Sequence, residues 1–135
     1  MQDRLDSYML LRAEEKAIQQ EIDSSLVMLD LSVQYQVPFG QTVCVTGSVR
    51  ELGDWDPKRS VRMSWYPNNI WKVSFEVKRH QVERLEYKFV VETSQDASDY
   101  IWEGGSNHNI LALPTRRIEI QDRWGFPGYK HDIAI

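Results

Sequence analysis

Between Met28 and Val37 the chain alternates. Met28, Asp30, Ser32, Gln34 and Gln36 fall on one side of an extended segment, and Leu29, Leu31, Val33, Tyr35 and Val37 on the other. A period of two matches the pleat of a strand, so this segment has one face to bury. An apolar strand face needs a sheet around it and a second layer against it. The rest of the chain supplies both. "TVCVTGSV", "IWKVSFEV", "RLEYKFVVE", "DYIWE", "NILAL" and "RRIEIQDRW" have strand composition, and "PFGQ", "ELGDWDPKRSV", "SQDAS" and "GGSNH" separate them as turns and loops. About seven short strands with polar turns specify an all-β sandwich or small barrel. The connections are too short for helical crossovers, so sequential antiparallel pairing is expected.

Residues 1–27 have a different character. They lack Gly and Pro and are rich in Leu, Glu, Gln, Ala and Lys, which predicts a helix. Tyr8, Leu11, Ile18 and Ile22 form one apolar stripe, interrupted by Glu15. The stripe packs either on the following domain or on a second helix as a short coiled coil, through self-association or a protein partner. The expected organisation is a helix at 1–27, a sandwich at 28–124 and a tail at 125–135 that is disordered or covers a sheet edge or the helix.

Composition narrows the function. With 135 residues the chain is one domain, and its net charge of −4 lacks the basic excess of a nucleic-acid binder. No apolar run approaches the roughly 18 residues of a membrane span. One cysteine, Cys44, and no leader-like N-terminus point to an intracellular setting, cytoplasmic or plastid. Catalytic groups do not assemble. His80, His108 and His131 are scattered, no metal-ligand spacing or phosphate loop occurs, and Cys44 lies mid-strand between valines. Glu103 with Asp54 or Asp56 would make a glycosidase pair, but a domain this small lacks the deep cleft. No catalytic residue, metal or cofactor is assigned.

Two tryptophans in polar turns remain: Trp55 in "LGDWDP" and Trp102 in "YIWEGGSN". A tryptophan is more often a core residue than an exposed platform, and composition alone favours that reading. Yet exposed aromatics among short polar side chains also suit a sugar, whose C–H face stacks on rings while its hydroxyls take hydrogen bonds.

"GQTVCVTGSVRELGDWDP", "LEYKFVVE" and "WEGGSN" occur in the order found in the starch-binding domain, carbohydrate-binding module family 20, and the chain resembles that family over residues 29 to about 124. The resemblance implies an immunoglobulin-like antiparallel sandwich that binds α-1,4-glucans such as starch, glycogen or malto-oligosaccharides, without catalysis. It implies a first site with Trp55 and Trp102 as an angled platform, Lys88 and Asn107 bonding to hydroxyls, and Glu103 assisting through its backbone. For a second site it implies Phe39 before the "GQ" turn and Trp65 or Tyr66 in "MSWYPNN". Such a module targets an attached or associated protein to the polysaccharide. The competing class is a protein-interaction or scaffold module on the same fold that has lost sugar binding.

Overall fold

The alternating segment is strand β1 (Leu26–Gln34), with Val27, Leu29, Leu31 and Val33 buried and the residues between them turned outward. The computed structural model describes residues 2–94, 98–125 and 132–134, with backbone alone at 2–6 and 132–134. Residues 95–97 of the expected "SQDAS" turn, and 126–131 and 135 of the tail, lie outside the described residues.

β1 pairs antiparallel with β5 (Ile70–Lys78) on one side and parallel with β9 (Arg117–Arg123) on the other. β4 (Ser64–Tyr66) extends this sheet beyond β5, and β10 (Asp132–Ala134) extends it beyond β9, so part of the tail does cover a sheet edge. The second sheet runs β3 (Val61–Arg62), β2 (Thr42–Gly47), β6 (Glu86–Glu92), β7 (Tyr100–Trp102), with β8 (His108–Asn109) also on β6. Leu29, Leu31, Val33, Trp71, Ile118 and Ile120 of the first sheet meet Val43, Val45, Tyr87 and Phe89 of the second in one core.

The all-β sandwich follows the sequence, but three expectations need correction. The described residues hold ten strands, where about seven were expected. The extra ones are two- and three-residue pieces such as β3 and β4, too short to show an alternation. Pairing is sequential and antiparallel for β2–β3, β4–β5, β6–β7 and β9–β10, but not for the remaining long strands: β1 joins β5 and β9, while β2 joins β6. Crossing between facing sheets needs no helix, so short connections place no bar on the parallel β1–β9 pair. "NILAL" contributes only the short β8, and Ile110 is buried in the core outside any ladder.

Helix α1 spans Gln2–Ser24 and is not long and apolar enough to cross a membrane. Only its end is tied down. Asp23 O meets His80 Nδ1 at 2.9 Å, and Arg79 N donates to Ser25 O at 2.8 Å, next to the single turn α2 (Arg79–Val82). Tyr8, Leu11, Ile18 and Ile22 are all exposed, so the stripe does not pack on its own sandwich.

Gly47 ends β2 where two backbones approach closely. A Cβ there would lie 2.4 Å from Glu86 O and 2.9 Å from Leu52 Cδ1. Gly47→Ala therefore forces β2 and β6 apart and is expected to cost about 1–3 kcal/mol, seen as a lower midpoint in denaturant unfolding. An unchanged midpoint would show that the approach is looser than this geometry.

Candidate functional site

The second sheet is buried on both faces at its centre. Strand parity puts Val43, Val45, Tyr87 and Phe89 toward the core, and Cys44, Thr46, Lys88 and Val90 toward the outside. Cys44, Thr46 and Val90 are nevertheless fully buried. Part of their cover is the segment after β2: Thr46 Oγ1 donates to Leu52 O at 2.9 Å, and Ser60 lies beside Cys44. Desolvation pushes the Cys44 thiol up to about 11, which leaves it a packed, inert strand residue.

This covering segment carries Trp55. Gly53, Asp54 and Trp55 occupy the left-handed region in succession, with φ of 80°, 52° and 67°. For a bulky aromatic that conformation is costly, so the surroundings must hold it. They do so through Gly53 N to Arg50 O, Asp54 N to Val49 O and Trp55 N to Gly47 O, at 2.9–3.2 Å. Asp56 caps the following 3-10 turn by accepting from Lys58 N at 3.0 Å, with Pro57 opening that turn. The acidic neighbours of Trp55 thus have backbone roles, and the ring is left half-buried.

Trp102 ends β7 opposite Val90, and Lys88 lies two residues before Val90 in β6, so Trp102 and Lys88 share the outer face. Trp102 is 42% exposed, which a core tryptophan would not be. Lys88 Nζ donates to Glu103 O at 3.3 Å and to Gly105 O, and so braces the turn that follows Trp102. Asn107 closes that turn, half-buried, beside His108. The structure thereby brings Trp102 and Lys88 to one face of the second sheet, with Asn107 at the far end of the turn that Lys88 braces.

Glu103 is different. Its carbonyl meets Lys88, as the expected backbone role allows, but its carboxylate turns inward and is buried. Glu103 Oε1 accepts from Phe89 N at 3.1 Å, and Oε2 accepts from Gly125 N at 2.6 Å. His108 Nε2 lies 2.8 Å from Oε2, while Nδ1 faces Asp122 Oδ1 at 3.4 Å. Tyr87 Oη donates to Asp122 Oδ2 at 2.5 Å. Burial opposes a charge on His108, but the nearby Asp122 carboxylate and the hydrogen-bonded Glu103 carboxylate outweigh it and raise its pKa to about 9. A sequence reading that calls the histidines scattered misses this cluster. Its signal is parity: Asp122 occupies the same inward phase of β9 as Ile118 and Ile120.

The two aromatic candidates from the β4–β5 hairpin for the expected second site lie on opposite faces. Phe39 is fully exposed in the turn Pro38–Gln41. Tyr35 N donates to Asn69 O and Gln34 Nε2 to Asn68 O, which ties the start of the β1–β2 connection to the β4–β5 loop. Trp65 pairs with the core-facing Trp71, whereas Tyr66 points to the other face, with Lys72 Nζ 4.9 Å from its ring centre. Adjacent strand residues cannot share a face, so at most one of them stands with Phe39.

The family model described as "Starch binding domain" matches residues 26–119, more than half of the chain. The chain belongs to the starch-binding domain family. It is thus a module for binding starch, and the matched region omits α1. The cyclomaltodextrin glucanotransferase of Niallia circulans is 35% identical over 91 residues, 63% of this chain and 12% of that protein. Glucoamylase-1 of Schizophyllum commune is 24% identical over 98 residues, 73% of this chain and 16% of that one. This starch-binding chain therefore spans only a small part of its relatives' length. Among solved structures, the family 20 module of a maltotetraose-forming amylase from Pseudomonas saccharophila superposes with TM-score 0.57 at 24% identity, covering 71% of this chain and all of that one. The γ-CGTase of alkalophilic Bacillus clarkii gives TM-score 0.64 at 23% identity, over 73% of this chain and 15% of that one. At these identities the structural likeness speaks to fold alone.

Exposure separates the roles of adjacent residues. Trp102→Ala is expected to cost under about 1 kcal/mol of stability, as for an exposed site, and Glu103→Ala about 3–5 kcal/mol, because it strands buried donors. Denaturant unfolding of the two variants checks this. A large loss for Trp102→Ala would make that ring structural.

Proposed function

We propose that Trp55 and Trp102 form the stacking platform of the starch site, with Lys88 and Asn107 supplying hydrogen bonds to glucose hydroxyls. The observations that carry this reading are the placement of Trp102 and Lys88 on one outer sheet face and the three successive left-handed residues that hold Trp55. Strain of this kind persists where a side chain must stand in one place. Glycogen and soluble malto-oligosaccharides offer the same α-1,4-linked rings and are included among the ligands. Phe39 with Trp65 is the proposed second contact. It lies before the start of β2, whereas Trp55 is tied to Gly47 at the end, so the two are separated by about 20 Å along the strand. Titration calorimetry with maltoheptaose is expected to give a dissociation constant between micromolar and millimolar, about −8 to −4 kcal/mol, lost in Trp102→Ala. Heat that persists in that variant would move the site elsewhere, and no heat with the parent would favour a protein-interaction module.

The role of such a module is to tether an attached or associated protein to the polysaccharide, and α1 suits that task. Its exposed stripe of Tyr8, Leu11, Ile18 and Ile22 supports self-association as a short coiled coil. A pair of modules then grips one polymer with a raised effective concentration and no new contacts. Light scattering is expected to give a dimer for the full chain and a monomer for a chain starting at Ser25, which spares β1. The shorter chain keeps its affinity for maltoheptaose and loses affinity for granular starch. A monomeric full chain would rule the dimer out.

A further inference from the structure

Glu103 directly follows Trp102, and His108 directly follows Asn107. Their side chains meet beneath the turn, at 2.8 and 2.9 Å from His108 Nε2 to the two oxygens of Glu103. We propose that Glu103 and His108 are positioning residues for the sugar site: their buried pair closes the turn between Trp102 and Asn107 and sets where those two side chains stand. The inference rests on the assignment of Trp102 and Asn107 to that site.

The turn has little else to hold it. Gly104, Gly105 and Ser106 are exposed, and a Cβ at Gly104 would touch nothing. Lys88 braces it from the outer face, and the clasp holds both of its ends from the inner face. The clasp is itself fixed to the sandwich. Glu103 N donates to Phe89 O while Phe89 N donates to the Glu103 carboxylate, so the side chain takes over the ladder where β7 stops. Gly125 N binds the second oxygen, which ties the clasp to the end of β9. The His108 ring lies 5.2 Å from both Tyr87 and Phe89, stacked on the first and edge-on to the second. A displacement of either residue is transmitted directly to its neighbour in the ligand platform.

Three titratable groups face the imidazole: Glu103, Asp122 from β9 and Tyr87 from β6. The Tyr87 hydroxyl is raised well above its usual range by burial and by Asp122, so it stays a neutral donor. The His108 value of about 9 in the fold exceeds its ordinary 6.5. Its contribution is therefore complete below the ordinary value and lost as pH rises through about 9. A role in stability alone would leave the affinity of the folded protein independent of that step, whereas a positioning role makes affinity follow it.

The test measures maltoheptaose affinity by calorimetry from pH 6 to 10, on the parent, His108→Gln, Lys88→Gln and Trp102→Ala, with near-ultraviolet circular dichroism to confirm folding at each pH. The parent is expected to bind evenly up to pH 8 and to weaken about tenfold by pH 10 while still folded. His108→Gln is expected to bind about tenfold more weakly at pH 7, with no further fall. In Lys88→Gln the alkaline fall persists, which assigns it to His108 and not to the lysine on the other face. A parent affinity constant to pH 10, or parental affinity in His108→Gln, overturns the clasp. If His108→Gln does not fold, the parent and Lys88→Gln profiles decide. Parental binding by Trp102→Ala would instead sink the site assignment on which the clasp rests.

Discussion

Everything in this molecule hangs on the buried face of β1. Val27, Leu29, Leu31 and Val33 are in contact with solvent at no more than 1% of their surface, and they sit in the middle of their sheet between β5 and β9. At about 1.5–3 kcal/mol for each large apolar side chain buried, this one strand supplies as much stabilisation as a small domain retains in total. Its position also decides the topology. With β1 central and both neighbours distant in sequence, the chain must keep switching sheets, and each switch leaves a loop at an end of the sandwich.

The site uses what that arrangement leaves over. The inner face of the second sheet is spent on the core, so its outer face is available to carry function. On that face Trp102 and Lys88 stand together, and the segment after β2, tied to Thr46 through Leu52 O and to Gly47 through Trp55 N, leaves the Trp55 ring half-buried. A buried polar cluster then does for the 102–107 turn what apolar packing cannot. Glycine-rich and exposed, that turn has no apolar side chain to anchor it, so charge-assisted bonds from Glu103 and His108 fix it from within.

How much of this was legible in the sequence depended on periodicity. β1, β5, β6 and β9 are long enough for an alternation to show, and each lies close to where its pattern puts it. β3, β4 and β8 span two or three residues and carry no period, so "NILAL" was read as a full strand and no strand was read at Ser64–Tyr66. The partners of β1 and β2 among the long strands were not legible, because their pairing is set by which faces must meet and not by sequence proximity. At the site, the ordered motifs single out Lys88 and Trp102, which share one sheet face. The inward turn of the Glu103 carboxylate was not legible, since an acid beside a tryptophan in a polar turn gives no hint that it points inward. Only the inward phase of Asp122 betrayed a polar cluster in the core.

The most direct test of the central claim is a heteronuclear NMR titration with maltoheptaose, following the five tryptophan indole N–H signals separately. The account predicts that the Trp55 and Trp102 signals move first and together, with the side-chain amide of Asn107, while Trp71, whose indole donates to Tyr35 O inside the fold, stays still. Saturable shifts confined to Trp65, or spread over the core tryptophans with Trp55 and Trp102 unmoved, would contradict it.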